Sequence, residues 1–199
     1  MGIKHDDALD RAGSTAARRD QIVAATIAVL ADRGFAATTY DAICAEAGLS
    51  SKRLISYHFK TKDELLAEVL HRVTADATVL MRPAIDNADG PGGKLAAYIR
   101  SNVAFVAARP NHVRAVQQIV VGAAEVPSEE ADGAVTRLVA LFDDGQRTGA
   151  FRKFDTLLMA VTLRAALDAA AGRVIAGADP ATCAQELAEI FDRATRKDS

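Results

Sequence analysis

Apolar residues recur at helical spacing over nearly the whole of this sequence, and that period constrains the fold more than any other feature. The spacing i, i+3, i+4, i+7, which places side chains on one face of a helix, is followed by Ile22, Ala25, Thr26, Val29 and Leu30. A clean period-two alternation of β-branched residues is missing, whereas alanine, the strongest helix former, is abundant. The sequence therefore predicts an all-α fold.

Residues that end or cap helices divide the chain into about nine predicted helices. The first should end at Gly34, and the fourth should open on a capping box, Thr61-Lys62-Asp63-Glu64. Pro83 should kink or end the fourth helix, and a loop is expected over residues 87–93. In chain order the helices are expected near residues 15–33, 38 or 39–47, 51–58, 61 to beyond 81, 94–109, 111–124, 127–149, 155–176 and from 180 onward.

Composition excludes several classes of protein. The chain has 199 residues, enough for one large domain or two small ones, and half of them are hydrophobic, so it is not disordered. Its net charge is −2, so any binding of nucleic acid must come from a local patch. The two cysteines lie far apart and the histidines lack partners at metal-ligand spacing, so we expect neither a metal nor a cofactor. The polar start and the lack of a long apolar run predict a soluble, cytoplasmic protein that does not bind membranes.

Residues 38–66 contain the most informative pattern, two short helices joined at Ala47-Gly48-Leu49-Ser50. Glycine permits a tight turn with positive φ, Leu49 can fill the space between the helices, and Ser50 is expected to cap the second one. This arrangement is typical of a helix-turn-helix, although the turn motif is weakly specific when taken alone.

Positive charge is concentrated on the second of these helices and on the start of the next. Residues 50–62 contain four basic side chains and no acidic one, Lys52, Arg53, Lys60 and Lys62. By contrast, residues 63–199 carry a net charge of −4. A recognition helix meets DNA phosphates with such a surface, although an ordinary solvated basic face would have the same composition.

The order of residues along this segment indicates which groups would contact DNA. Ser50, Ser51, Lys52 and Arg53 fall at the start of the third helix, the end that enters a major groove, and Arg53 or Lys52 suits a guanine edge. The hydroxyls of Ser56 and Tyr57 and the free amides near Thr61 and Lys62 could contact phosphates, while Leu54, Ile55 and Phe59 should pack inward.

Residues 18–66, which are 49 of the 199, resemble the DNA-binding domain of the tetracycline-repressor (TetR) family. The resemblance rests on the ordered elements Gly34-Phe35, Thr38-Thr39, Ile43, Ala47-Gly48-Leu49-Ser50, Tyr57-His58-Phe59 and Lys62. One departure is an additional residue between Gly48 and Phe59, which puts Ser56 where the family often has a tyrosine that contacts phosphate. The residues predicted to bind DNA are Thr38, Thr39, Ser50, Ser51, Lys52, Arg53, Ser56, Tyr57, His58, Lys60, Thr61 and Lys62.

The resemblance implies a DNA-binding head, residues 1–62, and a larger helical body, residues 63–199, that binds a small ligand and dimerises. The eighth helix has a stripe of small residues, Ala165, Ala169, Gly172 and Ala176, and the last helix has an apolar seam, Cys183, Leu187, Ile190, Phe191 and Ala194. These residues could form either the core of one chain or a two-fold interface between two chains.

The helices that enclose ligand pockets in the family supply the candidate ligand contacts here. These candidates are Tyr98, Asn102, Phe105, Gln117, Phe142, Met159 and Arg164. Each of them could instead be an ordinary core or surface residue, and the sequence does not identify the ligand.

Three functions agree with these patterns. The first is a homodimeric transcriptional regulator, a repressor that a small molecule releases from a palindromic double-stranded DNA operator. The second is a helix-turn-helix DNA-binding protein without ligand control. The third is an all-α ligand carrier or enzyme, which is disfavoured because no Ser/His/Asp or Cys/His arrangement is recognisable.

Overall fold

The computed structural model describes residues 3–123 and 129–197, and every regular element in these ranges is an α-helix. The all-α prediction is therefore confirmed. In chain order the helices are α1 Ile3–Arg33, α2 Tyr40–Ala47, α3 Lys52–His58, α4 Lys62–Asp86, α5 Gly90–Ala108, α6 Pro110–Gly122, α7 Glu129–Arg147, α8 Thr156–Ile175 and α9 Pro180–Thr195.

Several helix ends differ from the sequence-based expectation. Helix α1 begins at Ile3 instead of near residue 15. Residues 3–14 include no proline, so the helix can extend through them. Pro83 does not end α4, which continues to Asp86. The proline lies close to the end of the helix, where its missing amide costs one backbone hydrogen bond. The expected loop at 87–93 is shorter, because Pro91 fits the first turn of α5 behind Asp89.

Packing divides the chain into two compact units. The first contains the chain up to Val73 together with α6, and the second contains the chain from Thr74 to Pro110 and α7 to α9. In this division the first part of α4, up to Val73, and α6 are grouped with α1 to α3.

Each unit has its own apolar core. In the first unit α1 to α4 bury a set of aliphatic and aromatic side chains, among them Ile22, Leu30, Ile43, Ile55, Phe59 and Leu65. Ile55 and Phe59 pack inward as predicted, and Leu54 is half-buried. The core of the second unit is a cluster from α5 and α7 to α9 that includes Ile99, Leu138, Phe142, Leu163, Leu167 and Phe191. Within the described ranges no helix is both long enough and apolar enough to cross a membrane.

Candidate nucleic-acid interface

The turn between α2 and α3 has the geometry of a helix-turn-helix. Gly48 adopts φ +62°, a left-handed conformation that glycine adopts without strain. The Leu49 amide donates to the Cys44 carbonyl at 2.9 Å, which closes the end of α2. The Ala47 carbonyl accepts a further hydrogen bond, at 2.6 Å, from Nε2 of Gln21 on α1. The turn is therefore fixed both by its own backbone and by α1.

Two of the predicted DNA-contacting hydroxyls cap helices instead, and a third is buried. Thr39 Oγ1 accepts from the Ala42 amide at the start of α2, and Ser51 Oγ accepts from the Arg53 amide at the start of α3. The prediction that Ser50 caps α3 is therefore wrong, since α3 begins one residue later than expected. Thr38 is also removed from the DNA-contacting set, because its side chain is buried and donates to the Gly34 carbonyl at 2.8 Å.

The outer side of α3 exposes most of the predicted contacts together. Lys52, Arg53, Ser56 and Tyr57 are all exposed, and Ser50 lies exposed just before them. Tyr57 keeps 79% of its surface accessible, which is unusual for a large aromatic residue without a binding role. The Arg53 guanidinium makes no hydrogen bond or ion pair with any described residue, whereas Lys52 Nζ is 2.9 Å from Asp41.

The start of α4 carries a second group of the residues predicted to contact DNA. Thr61 Oγ1 accepts from the Glu64 amide at 3.1 Å, and a Glu64 carboxylate oxygen accepts from the Lys60 amide at 2.7 Å. This is the predicted capping box, except that the Glu64 carboxylate accepts from the Lys60 amide instead of the Thr61 amide. Lys62 Nζ lies 4.5 Å from the centre of the Phe35 ring. Lys60 and Thr61 are exposed and Lys62 is half-buried.

Arg19 of α1, which was not among the predicted site residues, supports this surface from the interior side. Its guanidinium donates to the His58 carbonyl at 2.7 Å and to Glu68 at 2.8 Å, and it lies 4.3 Å from the Phe59 ring centre. It therefore ties the end of α3 to both α1 and α4. Its partners are 39 and 49 residues away in the chain, so no local pattern could have identified it.

Two further side chains of the surface have shifted pKa values. The pKa of His58 is lowered by burial and, to a lesser extent, by Arg19 and Arg18, so this predicted contact is a neutral imidazole at pH 7. Tyr40, which opens α2 and was also missed, has a raised pKa because of burial and the nearby Asp63 and Glu64. Its hydroxyl therefore stays protonated.

The predicted interface residues of the second unit separate into surface and core. The small residues of this stripe are all exposed: Ala165, Ala169 and Gly172 on α8, and Ala176 directly after its end. On α9 Ile190 keeps 54% of its surface accessible, while Cys183, Leu187 and Ala194 are half-buried. Phe191 does not belong to this surface, because it points into the core and is only 3% exposed. The exposed face also includes Leu157, Leu158 and Val161, which the sequence analysis did not select.

The predicted ligand contacts are not brought together at one cavity. Phe142 is fully buried in the core, with its ring centre 5.5 Å from that of Phe154 and 6.1 Å from that of Phe151. Phe105 is buried as well, Asn102 is half-buried, and Tyr98 and Met159 pack against the core. Arg164 pairs with Asp168 at 2.8 Å, and Gln117 is exposed on α6 in the first unit.

A groove of about 630 Å³ lies between α5 and α9, and none of the predicted ligand contacts lines it. Its lining includes Leu95, Ala96, Arg100, Ala188 and Glu189. Among the residues that the structure describes, no three His, Cys, Asp or Glu side chains are grouped as a metal site would require.

Comparison with known proteins matches the N-terminal segment to a family model. Residues 22–69 match the model for bacterial regulatory proteins of the tetR family; this segment runs from the second half of α1 through α2 and α3 into the first part of α4. A comparison of the sequence with curated proteins found no match.

Solved structures match over most of the chain. A protein from Pseudomonas aeruginosa, assigned as a transcriptional regulator, is 26% identical, with a TM-score of 0.76 and 90% of each chain covered. A TetR-like transcriptional regulator from Rhodococcus is also 26% identical, with a TM-score of 0.71 and 89% of this chain and 94% of that chain covered. The transcriptional regulator FadR from Bacillus subtilis, solved in complex with stearoyl-CoA, shares the fold at 19% identity, with a TM-score of 0.75 and coverage of 85% and 95%. With its helix-turn-helix and exposed basic helix, the chain carries at residues 22–69 the segment typical of tetR-family bacterial regulatory proteins, and its fold is that of DNA-binding transcriptional regulators.

Proposed function

We propose that two copies of this chain bind a palindromic DNA operator as a repressor and leave it when a small molecule binds. The observation that carries the proposal is the outer side of α3, where Arg53 is exposed, charged and without a partner among the described residues. An unpaired guanidinium can donate two parallel hydrogen bonds to O6 and N7 of guanine without first breaking an ion pair. Arg53 is therefore the proposed base-reading residue.

The neighbouring groups suit the phosphate backbone. Ser56 and Tyr57 offer hydroxyls one turn after Arg53, and Lys60 and Lys62 offer ammonium groups at the start of α4. Lys52 contributes less to the affinity, because Asp41 already neutralises part of its charge. Contacts of this kind orient a protein on the duplex without reading the sequence.

The exposed face of α8 and α9 supports a homodimer. Alanine and glycine at Ala165, Ala169 and Gly172 allow a helix of a second copy to approach closely, and Ile190 and Leu158 supply apolar area around them. A two-fold dimer would present two copies of α3 to half-sites about 34 Å apart, one duplex turn, or a multiple of that distance. The operator would then be palindromic, and the protein would act on the chromosome in the cytoplasm.

Control by a ligand requires that ligand binding change the position of α3 or α4. Helix α4 runs from Lys62 to Asp86: its first turn carries proposed phosphate contacts, and its residues after Val73 belong to the second unit. A ligand that prefers a displaced α4 would move the equilibrium away from the DNA-binding conformation. The similar fold of FadR, which was solved with stearoyl-CoA, makes acyl-CoA esters the first compounds to test.

Selection of DNA fragments by the purified full-length protein tests the DNA-binding part of the proposal. We expect the selected sequences to share an inverted repeat that binds two protomers, with an affinity that falls steeply as the salt concentration rises. Selected DNA without an inverted repeat, or one protomer per operator, would contradict the dimeric mode of binding.

A panel of metabolites, including acyl-CoA esters of several chain lengths, then tests release. The effector should raise the melting temperature of the protein and free a fluorescent copy of the selected operator over the same concentration range. If no compound that raises the melting temperature weakens operator binding, the chain is a DNA-binding protein without ligand control. A reporter gene placed behind the operator should be expressed more strongly when the protein is deleted, and lower expression would indicate an activator.

A further inference from the structure

Helix α6 contacts the turn between α1 and α2 through the side chain of Gln118. Gln118 Oε1 accepts a hydrogen bond from the Phe35 amide at 3.1 Å, across 83 residues of sequence. Gly34, the preceding residue, has φ +79°, and a Cβ atom there would lie only 3.1 Å from the same oxygen. Glycine at this position therefore permits both the left-handed backbone and the close approach of Gln118.

The Phe35 side chain also lies directly against the backbone of α6. A Cβ atom added at Gly122 would come within 2.2 to 2.6 Å of Cγ, Cδ1 and Cβ of Phe35. Such distances are too short for any side chain, so Gly122 has to be glycine for the ring to occupy this place. Helix α6 thus fixes Phe35 twice, at its amide through Gln118 and at its ring through Gly122.

The fixed ring in turn faces the ammonium group of Lys62. Nζ of Lys62 is 4.5 Å from the centre of the Phe35 ring, within the range of a cation–π interaction. Lys62 is half-buried, and no acidic side chain lies within ion-pair distance among the described residues. The ring therefore orients the lysine without neutralising it, and the full charge remains available for a phosphate.

We propose that Gln118 and Gly122 are positioning residues for DNA binding. They hold Phe35, and Phe35 holds Lys62 at the start of α4, so a helix that does not itself contact DNA determines how well one phosphate contact forms. The inference depends on the role of Lys62 in DNA binding given under Proposed function.

A double-mutant cycle between Gln118 and Lys62 separates this role from ordinary packing. Full-length wild-type protein, Gln118→Leu, Lys62→Ala and the double variant are titrated with a short fluorescent duplex of arbitrary sequence at several salt concentrations. A duplex of arbitrary sequence is suitable because phosphate contacts do not depend on base sequence.

We expect Gln118→Leu to weaken binding about two- to fivefold and to lower the salt slope by up to about one, as Lys62→Ala does. In the Lys62→Ala background, Gln118→Leu should have no further effect on either quantity. Gly122→Ala should give the same loss, while Val121→Ala, at the exposed neighbouring position on α6, should bind like the wild type.

The outcomes are distinguishable. Equal salt slopes for wild type and Gln118→Leu, or losses of affinity that multiply in the double variant, would overturn the positioning role and leave DNA binding intact. Failure of the wild type to bind any duplex would instead overturn the proposed function. If Gln118→Leu does not fold, as judged by its melting curve, Phe35→Leu replaces it in the cycle and should show the same non-additivity with Lys62→Ala.

Discussion

The outer side of α3 and the face of α8 and α9 are both exposed, yet they are built from opposite kinds of residue. The first presents Lys52, Arg53, Ser56 and Tyr57, which carry charges and hydroxyls. The second presents alanine, glycine and scattered aliphatic side chains around Ile190. The first surface has the chemistry of a phosphate and base-edge contact, whereas the second offers only close approach and apolar area.

The two surfaces also differ in what supports them. Behind α3, side chains of α1 bond to the ends of the helix-turn-helix, with Arg19 on the His58 carbonyl and Gln21 on the Ala47 carbonyl. Behind α8 and α9 lies an apolar core that contains Phe142, Leu163 and Phe191. Directional hydrogen bonds fix the orientation of α3, while the face of the second unit depends on packing.

Truncation of Phe142 should have the largest effect. Phe142→Ala is expected to lower the free energy of unfolding by about 3–5 kcal/mol, because it leaves a cavity in the closed core of the second unit. Urea unfolding measures the loss, and Phe154→Ala, at a half-buried position in the same aromatic cluster, should cost less. A stable Phe142→Ala protein that no longer responds to its effector would show that this residue contacts the ligand instead.

A charge on the exposed apolar face should separate the protomers. Ile190→Asp is expected to weaken dimerisation by about 2 kcal/mol or more and to reduce operator affinity with it, because the dimer would bury an unpaired carboxylate. Sedimentation equilibrium measures the change. Val79→Asp, at an exposed aliphatic position on α4, is the matched control and should remain a dimer. Dimerisation that is unaffected by Ile190→Asp would place the interface elsewhere.

Loss of the Arg53 guanidinium should weaken sequence reading more than general affinity. Arg53→Ala is expected to cost about 1–3 kcal/mol on the selected operator and much less on a duplex of arbitrary sequence. Arg53→Lys keeps the charge and loses the two-pronged geometry, so it should recover the affinity for arbitrary DNA but not the preference. Equal losses on both duplexes would make Arg53 a phosphate contact.

The smallest effect should come from His58. Its pKa is lowered by burial and by Arg19 and Arg18, so the unfolded chain binds more protons than the folded one at pH values near and below 6.5. The stabilisation is therefore present above this pH and is lost as the pH falls through the lowered folded pKa. Compared with His58→Gln, the wild type should lose stability on acidification. Urea unfolding at several pH values measures the difference, and the converse trend would contradict the neutral state of His58.

The surface that we propose binds DNA could be delineated from sequence because the features that form it are local. The Gly48 turn, the basic run and the capping box each lie within a few residues, and the structure places most of the predicted contacts on one surface. The prediction that Thr38 contacts DNA was wrong, because a threonine hydroxyl can equally donate to the carbonyl four residues before it, as Thr38 does to Gly34.

The second unit could be predicted only as a set of helices. Core and interface residues are both apolar and both follow helical spacing, so Phe191 and Ile190, adjacent in sequence, were assigned to the same seam although one is buried and the other exposed. Contacts between residues distant in the chain could not be predicted either, such as those of Gln118 with Phe35 and of Arg19 with Glu68. Their contacts depend on how the helices pack, and no spacing rule contains that information.

The ion pair between Lys52 and Asp41 has a consequence for how fast the protein finds its site. In the proposed complex, Lys52 would have to exchange its carboxylate partner for a phosphate on every stretch of DNA, so each nonspecific complex would be weaker than one formed by an unpaired lysine. Even ~0.5 kcal/mol, typical of an exposed pair, shortens the residence time on each wrong site about twofold. The ion pair with Asp41 would therefore lower the affinity for nonspecific DNA slightly and speed the search for the operator.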